Sequence, residues 1–418
     1  MTTSPLRPRI LTDEEHDHPT RLNGFAAHIS LGKSFRSESR DYFLLLGTTL
    51  FMVVFGLIMV LSSSSIESHD ATEDFFSRFM SQGINALVGV PLMFVMSILP
   101  QEFWRRCIGY VLGFACFLQV IVLFTPLGEE IGGNRNWLRI GSQTFQPSEL
   151  IKFALVIWLG VMVSRKQHVL DDWRQLALAV LPVAGISIGL VIRGGDLGTT
   201  VIMSAAVLGA LFFAGVRWRY LLVGIGGVSV LALVVAFSSA SRAGRIAALF
   251  GGTSAANPDV DYQIKNASYG LASGGFFGVG LGNSHSKWLW LPAAETDFIY
   301  AVIGEELGLI GAVLVLALFV VLAFSFVRII HSSNDPFTRT TTAAIMVWLI
   351  GQAFVNIGVV LGVIPVLGVP LPLISAGGTA LISSLAAIGV VLSFVRAQAK
   401  NTRDAQNMAA IRNGRVTG

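Results

Sequence analysis

The sequence predicts an all-α integral membrane protein of about ten transmembrane helices, with a large external loop between helices 7 and 8. Three observations carry that prediction. Only 13% of the 418 residues are charged and 53% are hydrophobic, whereas a soluble domain carries roughly 25% charged residues. Apolar runs near the ~20 residues needed to cross hydrocarbon follow one another from residue 42 to residue 396. Basic residues also gather in alternate connecting segments, as they do where cytoplasmic loops are positive.

Residues 1–41 are polar and mix Arg and Lys with acids such as Asp13, Glu14, Glu15 and Asp17. They read as a disordered cytoplasmic tail in which His16 and His18 have no metal role. The first apolar run, 42–63, is too long for the core of a signal peptide and reads as a retained span. Spans at 82–99 and 107–125 follow. Cys107 and Cys116, the two cysteines, share the third span. Nine residues at about 100° each place them on opposite faces, so they cannot pair. The remaining spans are 148–164, 174–192, 197–214, 220–238, 298–328, 341–363 and 376–396, within a ten-helix domain at 42–397. The fourth and sixth are short, and the eighth is long enough to tilt. The external loop, 239–297, is of a length usually tied to function in a compact bundle. Residues 398–418 close the chain as a basic cytoplasmic tail.

An even number of spans puts both termini on one side, and charge selects the cytoplasm. Arg7, Arg9, Arg21, Lys33, Arg36 and Arg40 would lie inside with Arg105, Arg106, Arg165, Lys166, Arg174, Arg217, Arg219, Arg328, Arg339 and the five basic residues from Arg396 onward. Arg78, Arg135, Arg139, Lys152, Arg193, Arg242, Arg245, Lys265 and Lys287 then lie outside or at the outer edge, mostly within 126–152 and 239–297. Long loops translocate whatever their charge, so these alone need not mean anything. A net charge of +4 asks for no nucleic-acid partner.

Four stretches carry possible chemistry. In 132–152, Pro147 suits the first turn of a helix and Glu149 complements its positive end. Lys152 lies three residues on, within reach of Glu149. Lys152 is either half of a structural ion pair or a cation near the outer surface. At 291–298, Asp297 opens the eighth span, where it can cap the helix. Glu305 and Glu306 follow within the span, and buried acids of that kind either face a water-filled cavity or pair internally. Gly304 falls on the face of Asp297, and Glu305 is about 80° around and about 12 Å deeper. A cavity descending from the outer surface along this helix would fit all three. The glycine-rich stretch 270–284 lacks the strand a dinucleotide fingerprint needs; it allows close backbone approach or a re-entrant segment. Pro365, Pro370 and Pro372 bar a continuous helix over 364–379, and this loop is expected to fold back over the same pocket.

Together these stretches resemble the SEDS (shape, elongation, division and sporulation) family of peptidoglycan glycosyltransferases, across roughly residues 42–397. The specific pieces are Gln146-Pro147-Ser148-Glu149 with Lys152; Asp196-Leu197-Gly198-Thr199; Thr296-Asp297-Phe298 followed by Gly304-Glu305-Glu306-Leu307-Gly308; and Leu371-Pro372-Leu373-Ile374-Ser375 with Gly377-Gly378. The stretch Ile374–Thr379 and the N-terminal tail resemble the division-type members more than the elongation-type ones. Three positions depart from the pattern. Ala293-Ala294-Glu295 stands where the family often has Glu-x-His, Gly194-Gly195 stands where Gln-Pro is common before Asp196, and Ala376 stands where Tyr is common.

The resemblance implies a reaction at the outer face of the bacterial cytoplasmic membrane, at the septum in a division-type member. Lipid II is joined to a growing glycan and undecaprenyl diphosphate is released. Asp297 matches the family's proposed catalytic base. Lys152, Arg135, Arg139, Arg193, Arg242, Arg245 and Lys265 are candidate ligands of the diphosphate. Glu149, Asp196, Glu305, Glu306 and Ser375 are supporting residues. A divalent cation, Mg or Mn, has a place at a diphosphate, although no ligand cluster shows in the sequence, and no organic cofactor is implied. The implied partners are a class B penicillin-binding protein (a transpeptidase), other division proteins and membrane lipid. A lipid II flippase and a non-enzymatic division scaffold are the rival readings, and Asp297 discriminates between them and the enzyme.

Overall fold

The computed structural model describes residues 39–72, 76–141, 143–167, 172–238, 243–246, 258–285 and 291–416. The expected tail over 1–38, His16, His18, Arg242 and Lys287 lie outside the described residues.

The helices are α1 (Arg40–Thr72), α2 (Ser77–Ile98), α3 (Gln101–Phe124), α4 (Pro147–Arg165), α5 (Trp173–Arg193), α6 (Leu197–Phe213), α7 (Trp218–Phe237), α8 (Pro258–Gly274), α9 (Ile299–Ser332), α10 (Pro336–Val360) and α11 (Gly378–Val416). Among the described residues, nine are long and apolar enough to cross a membrane. α6 is apolar but has 17 residues, a length of about 25 Å at 1.5 Å per residue, the short end of what spans hydrocarbon. α8 is the helix inside the expected external loop. α11 runs on to Val416, so the stretch read as a basic tail continues the last span as helix.

α4 is the most enclosed span, 83% buried, and α7 the least, at 17%. α4 packs on α3 and α10, α6 on α10, α2 on α11, and α9 on α1 and α10. Small residues allow the closest approaches: a Cβ on Gly56 of α1 would lie 2.7 Å from the backbone of Ile374. α7 instead presents Leu222, Val223, Val230, Leu233, Val234 and Phe237 outward, a surface suited to lipid. At the end of α9 away from Asp297, Arg105 pairs with Asp335 at 2.8 Å and Arg328 with Asp41 at 2.7 Å. Arg396 donates to the Tyr42 hydroxyl at 3.1 Å.

The all-α expectation needs one correction. Residues 128–145 form a three-stranded antiparallel sheet, β1 (Gly128–Ile131), β2 (Asn134–Ile140) and β3 (Gln143–Phe145), in the order β1-β2-β3. Ile131 pairs with Asn134 across Gly132-Gly133. Both glycines have positive φ, 60° and 79°, as a two-residue type I′ hairpin turn requires.

The glycine-rich stretch enters the bundle. α9 breaks at Gly308 (φ 68°, ψ −162°), and the segment after α8 fills the break. Val279 and Gly280 donate N–H groups to the carbonyls of Glu305 and Glu306, at 3.0 Å each. Leu309 donates to the Gly275 carbonyl at 2.9 Å. The backbone groups freed by the break are thereby satisfied at a depth where water cannot do it. A side chain at Gly274, Gly278 or Gly308 would strike the opposing backbone.

Candidate active site

Three successive carbonyls ahead of α9 are each held by a different donor. The carbonyl of Glu295 accepts from the Ala376 N–H at 2.9 Å. That of Thr296 accepts from the Ser375 hydroxyl at 2.6 Å. That of Asp297 accepts from Asn356 Nδ2 at 2.7 Å. The segment so fixed leaves a turn in which Ala293, at φ +59°, takes N–H groups from Thr296 and Phe298. A non-glycine residue in that conformation is held there by its surroundings. The Glu295 side chain adds an ion pair to Arg78 at 3.3 Å.

Asp297 does not cap α9. Phe298 occupies the cap position and no side chain bonds there. The Asp297 carboxylate is half-buried, and among the described residues no donor is bonded to it. The proline-rich loop runs beside it: a Cβ on Gly368 would lie 3.7 Å from Oδ2.

Asp196 lies within electrostatic range of Asp297. It caps α6, accepting the Thr199 N–H at 2.8 Å, and accepts Gln146 Nε2 at 3.2 Å. Burial pushes the Asp196 carboxyl above the usual range, against the Thr199 hydrogen bonds and the Lys152 charge. Burial and then the charge of Asp196 raise Asp297 to about 6, with Arg245 opposing. A carboxylate with that value is ionised at neutral pH and is a stronger base than an ordinary Asp.

Lys152 is enclosed, 2% exposed. Its ammonium donates to Glu149 at 2.8 Å and to Gln352 Oε1 at 3.1 Å, and lies 4.9 Å from the Trp348 ring centre. The second oxygen of Glu149 accepts from Ser383 at 3.0 Å. Lys152 therefore sits inside the protein, as half of a closed pair.

Among the described basic candidates, Arg245 is the one that the structure sets beside both Asp297 and a cavity. The cavity, about 520 Å³, lies between the β1–β2 turn, α6, α7 and the loop at Pro365–Leu367. Arg245 lines it and its Nη1 reaches the Val366 carbonyl at 3.4 Å. Arg135 is engaged with the carbonyls of Val122 and Thr125 at 3.1 and 2.8 Å. Arg139 pairs with Glu129 at 2.5 Å. Arg193 and Lys265 are exposed.

The cavity does not descend along α9, as the spacing of Asp297, Gly304 and Glu305 suggests. Glu305 and Glu306 are 1% and 0% exposed and are engaged with protein. Ser284 and the His285 N–H donate to Glu305 at 2.5 and 2.8 Å. Ser62 reaches both oxygens of Glu306 at 2.7 and 2.6 Å. The proline loop folds over this cavity, through Pro365–Leu367, and not over one along α9.

Among the described residues no three His, Cys, Asp or Glu side chains converge as metal ligands. Magnesium at a diphosphate needs few protein ligands, but the Asp196 oxygens already serve Thr199 and Gln146. That leaves Asp297 alone, which does not make a metal site without substrate.

Gln352 and Asn356 were not singled out in the sequence. Their signal is there: two amides four residues apart inside an apolar span, where polar side chains are costly.

Residues 42–400 match the cell cycle protein family of FtsW, RodA and SpoVE. A probable peptidoglycan glycosyltransferase FtsW of Mycobacterium tuberculosis is 37% identical over 380 residues, 90% of this chain and 70% of that protein. Stage V sporulation protein E of Bacillus subtilis is 34% identical over 362 residues, 84% of this chain and 96% of that one. A chain of a solved peptidoglycan synthase complex, described as coordinating polymerization and crosslinking, superposes with TM-score 0.68 at 25% identity, covering 85% of this chain and 97% of that one. The rod shape determining protein RodA of Thermus thermophilus shares the fold, with TM-score 0.63 at 24% identity over 87% of this chain and 99% of that one. The chain is a member of the FtsW/RodA/SpoVE family.

Proposed function

We propose that this chain is a peptidoglycan glycosyltransferase that polymerises lipid II at the outer face of the bacterial cytoplasmic membrane during division. The observation that carries the site assignment is Asp297: its backbone is pinned, its carboxylate is left without a protein donor among the described residues, and burial and the charge of Asp196 raise its pKa to about 6 against the opposing charge of Arg245. The 4-hydroxyl of an acceptor N-acetylglucosamine is a poor nucleophile. Asp297 takes its proton as the oxygen bonds to C1 of the donor N-acetylmuramic acid. The C1–O bond to the diphosphate breaks, and its electron pair leaves with undecaprenyl diphosphate. Arg245, facing the cavity, is placed to steady that anion. Lys152 acts from within the protein. A divalent cation, if bound, would share the diphosphate charge.

The solved synthase complex supports a partner that crosslinks the new strand, in our reading a single-span class B penicillin-binding protein. The deciding variant is Asp297→Asn. A neutral amide cannot accept the proton, so polymerisation should fall by about 10²- to 10⁴-fold. Ionising a carboxylate whose pKa is raised costs the folded state stability above about pH 6, so the variant should melt no lower than the parent at pH 7.5. Strong polymerisation by the variant would remove Asp297 from the chemistry and favour the flippase or scaffold.

A further inference from the structure

We infer that Asn356, with Gln352 one helical turn before it, is a positioning residue that aims Asp297 at its substrate. The inference rests on the reading of Asp297 as the base and extends it to a residue of α10 that no comparison assigns.

Asn356 is 1% exposed. Its Nδ2 donates to the Asp297 carbonyl at 2.7 Å and to the Val369 carbonyl at 2.8 Å. Both amide hydrogens are thus spent on two loops that are far apart in sequence and meet at the site. The orientation is forced, because the flipped amide would set an oxygen against two carbonyls. Its own Oδ1 is buried and has no partner among the described residues. What this position supplies to the site is its two donors.

Gln352 repeats the arrangement four residues earlier on the same face. Its Nε2 donates to the Pro370 carbonyl at 2.8 Å. Its Oε1 accepts from Lys152 and from Trp348 Nε1, both at 3.1 Å. Those two donors leave Gln352 one orientation, with its amide hydrogens toward the loop. The enclosed Lys152 therefore acts on the site through Gln352. Together the two amides lock successive carbonyls of the proline loop, Val369 and Pro370, to the carbonyl of Asp297. Ser375 and Ala376 hold Thr296 and Glu295 from the far end of the same loop. Of these donors, Asn356 is the one that bonds residue 297 itself.

The test uses the full chain with its transpeptidase partner and lipid II. Asn356→Leu keeps the branched four-atom outline, with greater bulk, and removes both donors. A misplacement of about 1 Å costs on the order of 10²-fold in turnover. The expected result is a kcat lower by about that factor, with KM for lipid II within twofold and partner binding unchanged. Asn356→Asp, protonated where it is buried between carbonyls, keeps one donor and should recover part of the kcat. If Asn356→Leu fails to accumulate, Asn356→Asp decides alone: lowered kcat at parental KM and melting temperature supports the inference, and parental kcat overturns it. Normal turnover by Asn356→Leu overturns it as well. So does a joint loss of kcat, KM and melting temperature with no recovery in the Asp variant, which describes a purely structural residue. Asp297→Asn runs beside them. If it polymerises normally, the base assignment fails; if it is inactive while Asn356→Leu is normal, only the positioning fails.

Discussion

At the scale of single residues, the proposed site sets one side chain, Asp297, apart from the many that hold its backbone. Asp297 has its backbone fixed and its carboxylate without a hydrogen-bond donor among the described residues, and its raised pKa has a measurable consequence. The base is the ionised form, so kcat/KM should be level above about pH 6 and fall by about tenfold per unit below it. A profile flat between pH 5 and pH 7 would contradict the assignment. Lys152 behaves differently, because its partner Glu149 is 3% exposed. Removing one member of a buried pair strands the other, at about 3–5 kcal/mol. Lys152→Met should therefore lower the melting temperature as well as activity. Lys152→Met combined with Glu149→Gln should restore the melting temperature. Activity that also returned in the double variant would show that the lysine charge serves only to neutralise Glu149.

These residues also show what the sequence made legible. Asp297, Glu149 and Lys152 are legible as ionisable groups beside apolar runs, and Asp196 through the Asp-Leu-Gly-Thr motif of the resemblance. Glu149 and Lys152 do pair at three residues' spacing. The enclosure of Lys152 was not legible, since it depends on Gln352 and Trp348, two hundred residues away. Asp297 also differs from expectation: an Asp opening a helix normally caps it, and here Phe298 takes that position because the three carbonyls ahead of it are tied to other elements.

At the scale of elements, the apolar cores of the spans are legible because hydrocarbon thickness sets their length, whereas α1 runs on to Thr72, α3 opens at Gln101 and α11 continues to Val416. The sheet over 128–145 departs from the all-α expectation: Gly132-Gly133 marks its turn, but strands this short and polar carry no clear apolar alternation to announce it. The break in α9 was likewise hidden, because Gly308 lies in an otherwise uninterrupted apolar helix and its cause is the glycine segment after α8. That break supplies an element-scale prediction. Gly308→Ala would force a Cβ into a conformation that essentially only glycine adopts, against the backbone of Gly278 and Phe276. It should lower the melting temperature of the detergent-solubilised protein, as should Glu306→Ala, which removes the carboxylate that the Ser62 hydroxyl bonds. Parental melting temperatures in both would mean that the glycine segment is not locked to α9.

At the scale of the whole molecule, the bundle puts Asp297, the sheet, the proline loop and the cavity at one end, and the Arg105–Asp335 and Arg328–Asp41 pairs at the other. We propose, from the distribution of basic residues, that the second end faces the cytoplasm. A reporter fused after Gly418 should be cytoplasmic and one inserted within 247–256 external. The reverse would place Asp297 away from the lipid II headgroups and end the proposed mechanism.

Polymerisation and transport use the same lipid, and proteoliposomes separate them. Purified chain, with and without its transpeptidase partner, is reconstituted with lipid II, and glycan strands, undecaprenyl diphosphate and movement of lipid II between leaflets are followed together. The account predicts glycan and undecaprenyl diphosphate appearing in step from the native chain with its partner, and both lost in Asp297→Asn. Lipid II crossing the bilayer with no glycan formed, equally in native chain and variant, would contradict it.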